Sequence, residues 1–507
     1  MLNNTNKKLL EFDLNDEYIK ELINTEPVNS LFNQSILNNF LKDKNYKLSN
    51  EINIPWSFDE LEKQIKEKIS PHIYNWYVPD DVNGISTFKS VNSFLNYELK
   101  ANYLNPDKTV KFEKELKLYS KALGTTTLKV KTPIFTCPYS AANLYSDVSD
   151  EKKVAIASVI NNITYSIPAL TKYNLEEIQN TVKNNSKDDD FFTMYQIYLT
   201  DDNEINISII ERAKCAGVRV LLLPIDSGAT YCGIDMIKSS ADITFSSKIS
   251  GILLSDPVFN KKCYEKYKCI GTTDEKIIKK IKELLNINES ITLSYDLITS
   301  FNYARKVQFE GMLKQNNTDD PNNPMYTWSI HNIVKIAHSN KKLSKYTLDN
   351  ENNFKSLPII IKGVLNKELA MSSIEADADG VYISNHGGRM LYNSTPPLEV
   401  LPEIKEFVKS IHKDIGVWYD GGIRNGNEIL IALGRGAEFV GIGRPIIYSC
   451  ALYGQDGVSA IIKQLLFFLK QQCVLCGINN FEDYNSLTKI IIQSKNLENK
   501  YLTNNKL

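Results

Sequence analysis

The sequence predicts an α/β fold of the (β/α)8 barrel class, with a helical N-terminal extension and a long insertion after the fourth strand. Eight short β-like runs alternate with helix-like stretches between residues 133 and 443. Most are apolar almost throughout, the pattern of strands buried on both faces, and alternation with helices calls for parallel pairing. Polar residues and glycines gather where the runs end, which is where a barrel of this class builds its site.

The first run, 133–137, carries Ile134, Phe135 and Thr136 and is followed by Tyr139 and Ser140. The second, 163–166, ends on Ser166; the third, 193–199, closes with Gln196 and Tyr198; the fourth, 218–226, is rich in valine and leucine and ends on Asp226. The connection 227–356 follows, with polar stretches at 315–323 and 339–354. An insertion of that length on a barrel's upper face is expected to act as a lid over the mouth. The fifth run, 357–363, sets Lys362 behind three isoleucines, and a charge on so apolar a strand demands a negative partner. The sixth, 380–384, leads into His386 and Arg389; the seventh, 416–420, into Asp420-Gly421-Gly422 and Arg424; the eighth, 438–443, into Gly443-Arg444-Pro445. A doubly wound open sheet is the competing architecture, disfavoured by the number of units and by the lack of a G-x-G-x-x-G turn after the first strand.

With 507 residues, 42% hydrophobic and 23% charged, the chain can bury a sizeable core. Residues 1–54 read as an extension, 55–485 as the barrel with its insertion, and 486–507 as a tail. A formal net charge of -1 offers no basic field, so no nucleic-acid partner is expected. No apolar run approaches the ~20 residues of a spanning helix; the strongest, 460–469, is interrupted by Lys463 and Gln464, reads as a core helix, and leaves no membrane association expected. The eight cysteines are scattered, as in a reduced intracellular protein. Cys473-Val474-Leu475-Cys476 ends an apolar helical pattern closed by Gly477 and reads as core packing, while His72, His331, His338 and His412 read as surface or structural; no metal site is expected. Lys7 and Lys8 stand among Glu11, Asp13 and Asp16, and no arginine precedes Arg212, so neither a secretory signal nor a mitochondrial presequence is expected. A cytoplasmic location is the expectation. Asn505-Lys506-Leu507 is similar to a peroxisomal address with its serine replaced, which makes the peroxisome the alternative.

The stretch that carries chemistry is Ser384-Asn385-His386-Gly387-Gly388-Arg389. An imidazole accepts a proton near neutral pH, a guanidinium grips a carboxylate with two parallel hydrogen bonds, and the glycines between them let the backbone pass close to a flat ligand. Glycines with an arginine after both the seventh and the eighth strand point to a bound phosphate.

These segments, together with Gly441-Ile442-Gly443-Arg444-Pro445 and Leu357-Pro358-Ile359-Ile360-Ile361-Lys362-Gly363-Val364, resemble the FMN-dependent α-hydroxy acid oxidase/dehydrogenase family. The resemblance runs from about residue 55 to about residue 484. Within the family it looks nearest to the cytochrome-fused L-lactate dehydrogenases, including Tyr453-Gly454-Gln455-Asp456-Gly457-Val458. It implies FMN, oxidation of a short lactate- or glycolate-like L-2-hydroxy acid to the 2-oxo acid, and a homo-oligomer, by family a tetramer. Carried over by position, His386 resembles the base that takes the substrate's proton and Asp226 the carboxylate that stabilises the imidazolium. Arg389 is expected to hold the substrate carboxylate, Tyr198 to hydrogen-bond the reacting hydroxyl, and Lys362 to offset negative charge at flavin N1/O2. Ser166, Gln196 and Asp420 are expected around the flavin, and Gly422, Arg424, Gly443 and Arg444 at its phosphate.

The departures matter as well. The family places a second active-site arginine seven residues after the aspartate, where this chain has Gly233. A small Thr-Ala flavin contact is replaced by Pro138-Tyr139-Ser140, and the Gln and Asp after the key arginine by Met390 and Tyr392. The N-terminal substrate tyrosine aligns with either Trp76 or Tyr77. The first histidine is His72, so no two-histidine haem site is expected in the extension. These differences support an alternative reading, a catalytically impaired paralogue that serves as an FMN-binding or structural protein.

Overall fold

In the computed structural model of the chain, the described residues are 57–77, 84–104, 109–144, 146–188, 190–227, 250–314, 330–343, 354–482 and 484–493. The expected extension 1–54, Gly233, the side chains of Trp76 and Tyr77 and most of the tail lie outside them.

Eight parallel strands close into a barrel: β1 (Ile134–Thr136), β2 (Thr164–Ile167), β3 (Thr193–Gln196), β4 (Val220–Pro224), β5 (Ile359–Val364), β6 (Gly380–Ile383), β7 (Gly416–Asp420) and β8 (Phe439–Ile442). They pair in sequence order, and β8 returns to β1. Each falls on a run expected from the sequence, with β2 and β5 reaching one residue further.

Alternation along the strands sorts the side chains. Phe135, Met194, Leu222, Ile360, Tyr382, Trp418 and Phe439 form one buried cluster inside the barrel, while their neighbours Leu221, Ile361, Val381, Val417 and Val440 belong to the core against the outer helices. The antiparallel hairpin Lys114–Ser120 with Gly124–Val130 closes the amino-terminal end of the barrel through Leu116, Leu118, Leu128 and Val130. Because successive side chains on a strand point to opposite faces, two steps beyond this aromatic floor place Cys137, Gln196, Lys362, Ser384 and Asp420 on the inner face, one layer higher. The candidate site therefore rests on a packed floor rather than on loops alone.

The insertion between β4 and β5 contains the helices Pro257–Tyr267, Glu275–Leu285, Leu297–Lys314 and Ile330–His338. Its described part packs against the loop that follows β3. Asp201 N donates to Val307 O at 2.8 Å, and a Cβ on Gly311 would lie 2.3 Å from Leu199 O. The stretch expected to form a lid includes 228–249 and 315–329, which lie outside the described residues.

Although the apolar stretch 460–469, read from the sequence as a core helix, is interrupted by Lys463 and Gln464, the helix Arg444–Cys476 that contains it is, by length and composition alone, apolar enough to cross a membrane. Gly454 (φ 61°, ψ -142°) breaks it, and its second part buries Ile461, Ile462, Leu465, Leu469 and Cys473. Cys473 and Cys476 are free and buried. His338 Nε2 lies 2.7 Å from the buried Asp379 carboxylate, and His412 stacks on Tyr119, both structural placements. Among the described residues no cluster of His, Cys, Asp and Glu forms a metal site.

Candidate active site

At the carboxyl ends of the strands, a cleft of about 900 Å³, its solvent mouth included, is lined by Tyr139, Tyr198, Lys362, His386, Arg389, Asp420, Gly422, Arg424, Gly443 and Arg444 among others. Lys362 forms its floor. Its Nζ donates to Ser384 Oγ at 3.0 Å and stands 4.0 Å from Asp226 Oδ2 and 3.9 Å from Asp420 Oδ2. Burial works to lower the Lys362 pKa, but Asp420 and Asp226 outweigh it and hold the value above the ordinary lysine range. The charge on this apolar strand thus has the negative partners its sequence position demanded.

Above the lysine sits the histidine loop. His386 adopts φ 56°, a left-handed conformation uncommon for residues other than glycine. Its backbone N–H donates to Ser384 Oγ at 3.1 Å. Helix Ile85–Asn92 packs over the loop, where Thr87 Oγ1 donates to Gly387 O at 2.9 Å and Ser86 Oγ to Leu391 O at 3.2 Å. A Cβ on Gly388 would lie 2.5 Å from Thr87 N. These contacts, made by residues about 300 positions upstream, fix the imidazole.

Asp226 Oδ1 lies 3.1 Å from His386 Nδ1. Burial works to raise the Asp226 pKa, but His386 and Lys362 hold it below the usual aspartate value. The ionised carboxylate therefore accepts from Nδ1–H, which leaves the Nε2 lone pair free to take a proton. Burial, with Lys362 and Arg389 nearby, lowers the His386 pKa from 6.5 despite the opposing pull of Asp226. The imidazole is neutral at pH 7, the form a base needs. Gly363 makes room for this pair: its φ is 99°, and a Cβ there would meet Asp226 at 2.8 Å. Asp226→Asn removes the group that raises the His386 pKa, so an NMR titration should find the imidazole protonating at lower pH than in the parent; an unchanged or higher value would mean the two side chains are not coupled.

Two guanidiniums also line the cleft. Arg424 lies over the Phe58 ring at 4.2 Å and donates to Ile423 O at 2.9 Å. Arg444 Nη2 donates to Gly387 O at 2.9 Å. Burial and the charge of Arg444 lower the Arg424 pKa to about 10, so the pair repels itself until an anion lies between. The nearest atom to a Cβ built on Gly443 is Cys137 Sγ at 3.9 Å, and the backbone there lines the cleft. At strand ends away from the cleft lining, Ser166 Oγ and Gln196 Oε1 are buried with no hydrogen-bond partner. A ligand with a phosphate tail and a polar ring fits paired cations, a glycine turn at the lining and unpartnered polar atoms buried nearby.

The site residues expected from sequence are brought together as follows. Tyr198, Lys362, His386, Arg389, Asp420, Gly422, Arg424, Gly443 and Arg444 line one cleft, Asp226 backs His386, and Ser166 and Gln196 lie deeper. Gly422 has a second reason to be glycine, because a Cβ would lie 2.3 Å from Ser90 O; it admits helix Ile85–Asn92 as well as facing the cleft. Tyr139 lines the wall without closing the cleft. Cys137 and Tyr382 were not anticipated, and both hydrogen-bond toward Asp420.

A family model for FMN-dependent dehydrogenases matches residues 65–489. The chain belongs to this family. Among relatives of the FMN-dependent dehydrogenases, it is 27% identical to an L-lactate oxidase of Lentilactobacillus hilgardii over 451 residues, 88% of this chain and 96% of that protein. It is 24% identical to a 2-hydroxyacid oxidase of Dictyostelium discoideum over 87% of this chain and 91% of the relative. A cytochrome-type L-lactate dehydrogenase of Wickerhamomyces anomalus is 37% identical over 146 residues, 28% of this chain and 25% of that protein. The fold is shared with a lactate oxidase structure from Pediococcus acidilactici (TM-score 0.61, 20% identity, 88% of this chain and 97% of that one). It is shared also with a mandelate oxidase variant (TM-score 0.59, 18% identity, 87% and 99% covered).

Proposed function

We propose that this FMN-dependent dehydrogenase family member oxidises a short L-2-hydroxy acid, lactate- or glycolate-like, to the 2-oxo acid. The observation that carries the reading is the one cleft that His386, backed by Asp226 at 3.1 Å, lines together with Arg389, Tyr198, Arg424 and Arg444. Arg424, Arg444 and the Gly443 turn would hold FMN, with the buried Ser166 and Gln196 contributing toward its ring, and FMN would serve as the two-electron acceptor. Arg389 holds the substrate carboxylate, Tyr198 orients the hydroxyl, and the Nε2 of His386 takes its proton while Asp226 stabilises the imidazolium. Lys362 places a fixed positive charge at the cleft floor, where a charge already in position costs no reorganisation during reaction. The relatives named L-lactate oxidase and 2-hydroxyacid oxidase support the substrate class. A homo-oligomer, no haem and a cytoplasmic location belong to the same proposal.

Gly233 and the Tyr139 wall favour one second reading, an FMN-binding protein of reduced or no activity. The spectrum of the purified protein separates the two. A yellow protein bleached under anaerobic conditions by L-lactate or glycolate is the expected result. A yellow protein unmoved by a panel of hydroxy acids supports the binder, and a colourless one that refuses added FMN overturns both.

A further inference from the structure

We propose that Tyr382 and Cys137 are positioning residues that act through Asp420 to keep the Lys362 charge directed into the cleft, and so set the redox equilibrium of the flavin bound there. The inference rests on the reading of the cleft as a flavin site and goes beyond it to two side chains with no part in proton transfer or substrate binding.

Lys362 stands between two carboxylates at nearly equal distance, 4.0 Å and 3.9 Å, and it donates a hydrogen bond to a neutral hydroxyl, Ser384 Oγ. An ammonium buried beside two carboxylates is expected to collapse onto one of them, because a charge-assisted hydrogen bond at 2.7–2.9 Å is far stronger in this environment than a separation near 4 Å. The two carboxylates differ in what holds the oxygen that faces the lysine. Asp226 binds His386 through Oδ1, and its Oδ2, the oxygen toward Lys362, has no hydrogen-bond partner. Asp420 Oδ2, the oxygen that faces Lys362, accepts from Tyr382 Oη at 2.7 Å and lies 3.6 Å from Cys137 Sγ. The two neutral donors also meet each other at 3.6 Å, so they close a small network around that one oxygen.

Strand register explains how the network forms. Trp418 is paired with Tyr382 across β6 and β7, and Asp420 is the next inward position above Trp418. A phenol rising from the barrel floor therefore reaches the carboxylate one layer up. The ring is fully buried, packed edge-on against Phe135 with centroids 5.6 Å apart, and has Lys362 Nζ 5.3 Å from its centroid. Cys137 reaches the same oxygen from the end of β1 and itself lines the cleft. Without the phenol, Asp420 Oδ2 keeps only a weak thiol donor, and Lys362 is the nearby cation able to replace it. The lysine then turns toward Asp420, its charge is neutralised locally, and less of its field reaches the cleft.

The test uses FMN-loaded protein and reads the redox equilibrium against a reference dye, with FMN affinity and melting temperature as controls. Tyr382→Phe is expected to shift the equilibrium toward oxidised flavin about tenfold, the scale of one hydrogen bond to a charged group, equivalent to about 30 mV lower for a two-electron couple. Cys137→Ala should shift it in the same sense by less. In a Lys362→Met background, Tyr382→Phe should add nothing, since the charge it governs is gone. A Tyr382→Phe protein that binds FMN and melts like the parent but keeps its redox equilibrium overturns the proposal, as does a shift that persists undiminished with Lys362→Met. Should Tyr382→Phe fail to fold, Cys137→Ala decides, and no shift there counts against the network. If the parent itself refuses FMN, the flavin reading of the cleft has failed, an outcome distinct from either.

Discussion

His386→Asn should slow flavin reduction by a 2-hydroxy acid about 10²–10⁴-fold, the usual contribution of a positioned general base, while FMN stays bound. Asparagine is the informative substitution because residue 386 has φ 56°, a conformation asparagine adopts more readily than most residues, so the loop is kept and only the proton acceptor is lost. The amide can still donate to Asp226, and the Lys362–Asp420 floor does not involve residue 386. Apparent substrate affinity should therefore change far less than the rate. Stopped-flow reduction under anaerobic conditions measures this directly, and a loss smaller than tenfold would assign the base elsewhere. The pH profile adds a check of sign. Burial holds the folded His386 pKa below the ordinary imidazole value, so the acid limb of the parent rate should lie at lower pH than an unperturbed imidazole would give. The same displacement makes the folded state bind fewer protons than the unfolded chain at mildly acid pH, and the stability it contributes is lost as pH falls through that window.

How much of this was legible in the sequence depends on distance along the chain. The eight strands were legible because each carries its own apolar run and its own polar terminus. The approach of Lys362 to a carboxylate was legible because an inward charge on an isoleucine-rich strand has few ways to be stable. What could not be read was pairing between segments far apart with no local mark. Thr87 holding the Gly387 carbonyl joins residues 300 positions apart, and nothing in Ile85–Asn92 announces it. Tyr382 looked like an ordinary strand residue. Only the register that sets it beside Trp418 places its hydroxyl under Asp420. The helical stretch 460–469 was legible as an amphipathic core helix, its polar residues interrupting a buried apolar face, but its continuity back to Arg444 was not. Gly422 looked like a phosphate turn on sequence grounds, and its packing against Ser90 is visible only in three dimensions.

Arg389→Met should lower kcat/KM for a 2-hydroxy acid about 10²–10³-fold, corresponding to the loss of two hydrogen bonds to a charged group at roughly 1.5–3 kcal/mol each, offset in part by water entering the space. On the proposed function, with Gly233 where the family places a second arginine, carboxylate recognition would fall on Arg389, and a change at this residue should cost more here than where two arginines share the task. Lysine is not a conservative replacement, since one ammonium cannot supply the planar fork that matches both carboxylate oxygens; Arg389→Lys should recover only part of the loss. A role confined to holding the loop in place predicts something different, a lower melting temperature with an unmoved pH profile. The Arg389 charge is among the influences that lower the His386 pKa, so its removal should also move the acid limb of the rate profile to higher pH, opposite in direction to the effect of Asp226→Asn. If both substitutions moved the limb the same way, the electrostatic coupling assigned to this cleft would be wrong, because two groups of opposite charge beside one imidazole cannot shift its protonation in the same sense.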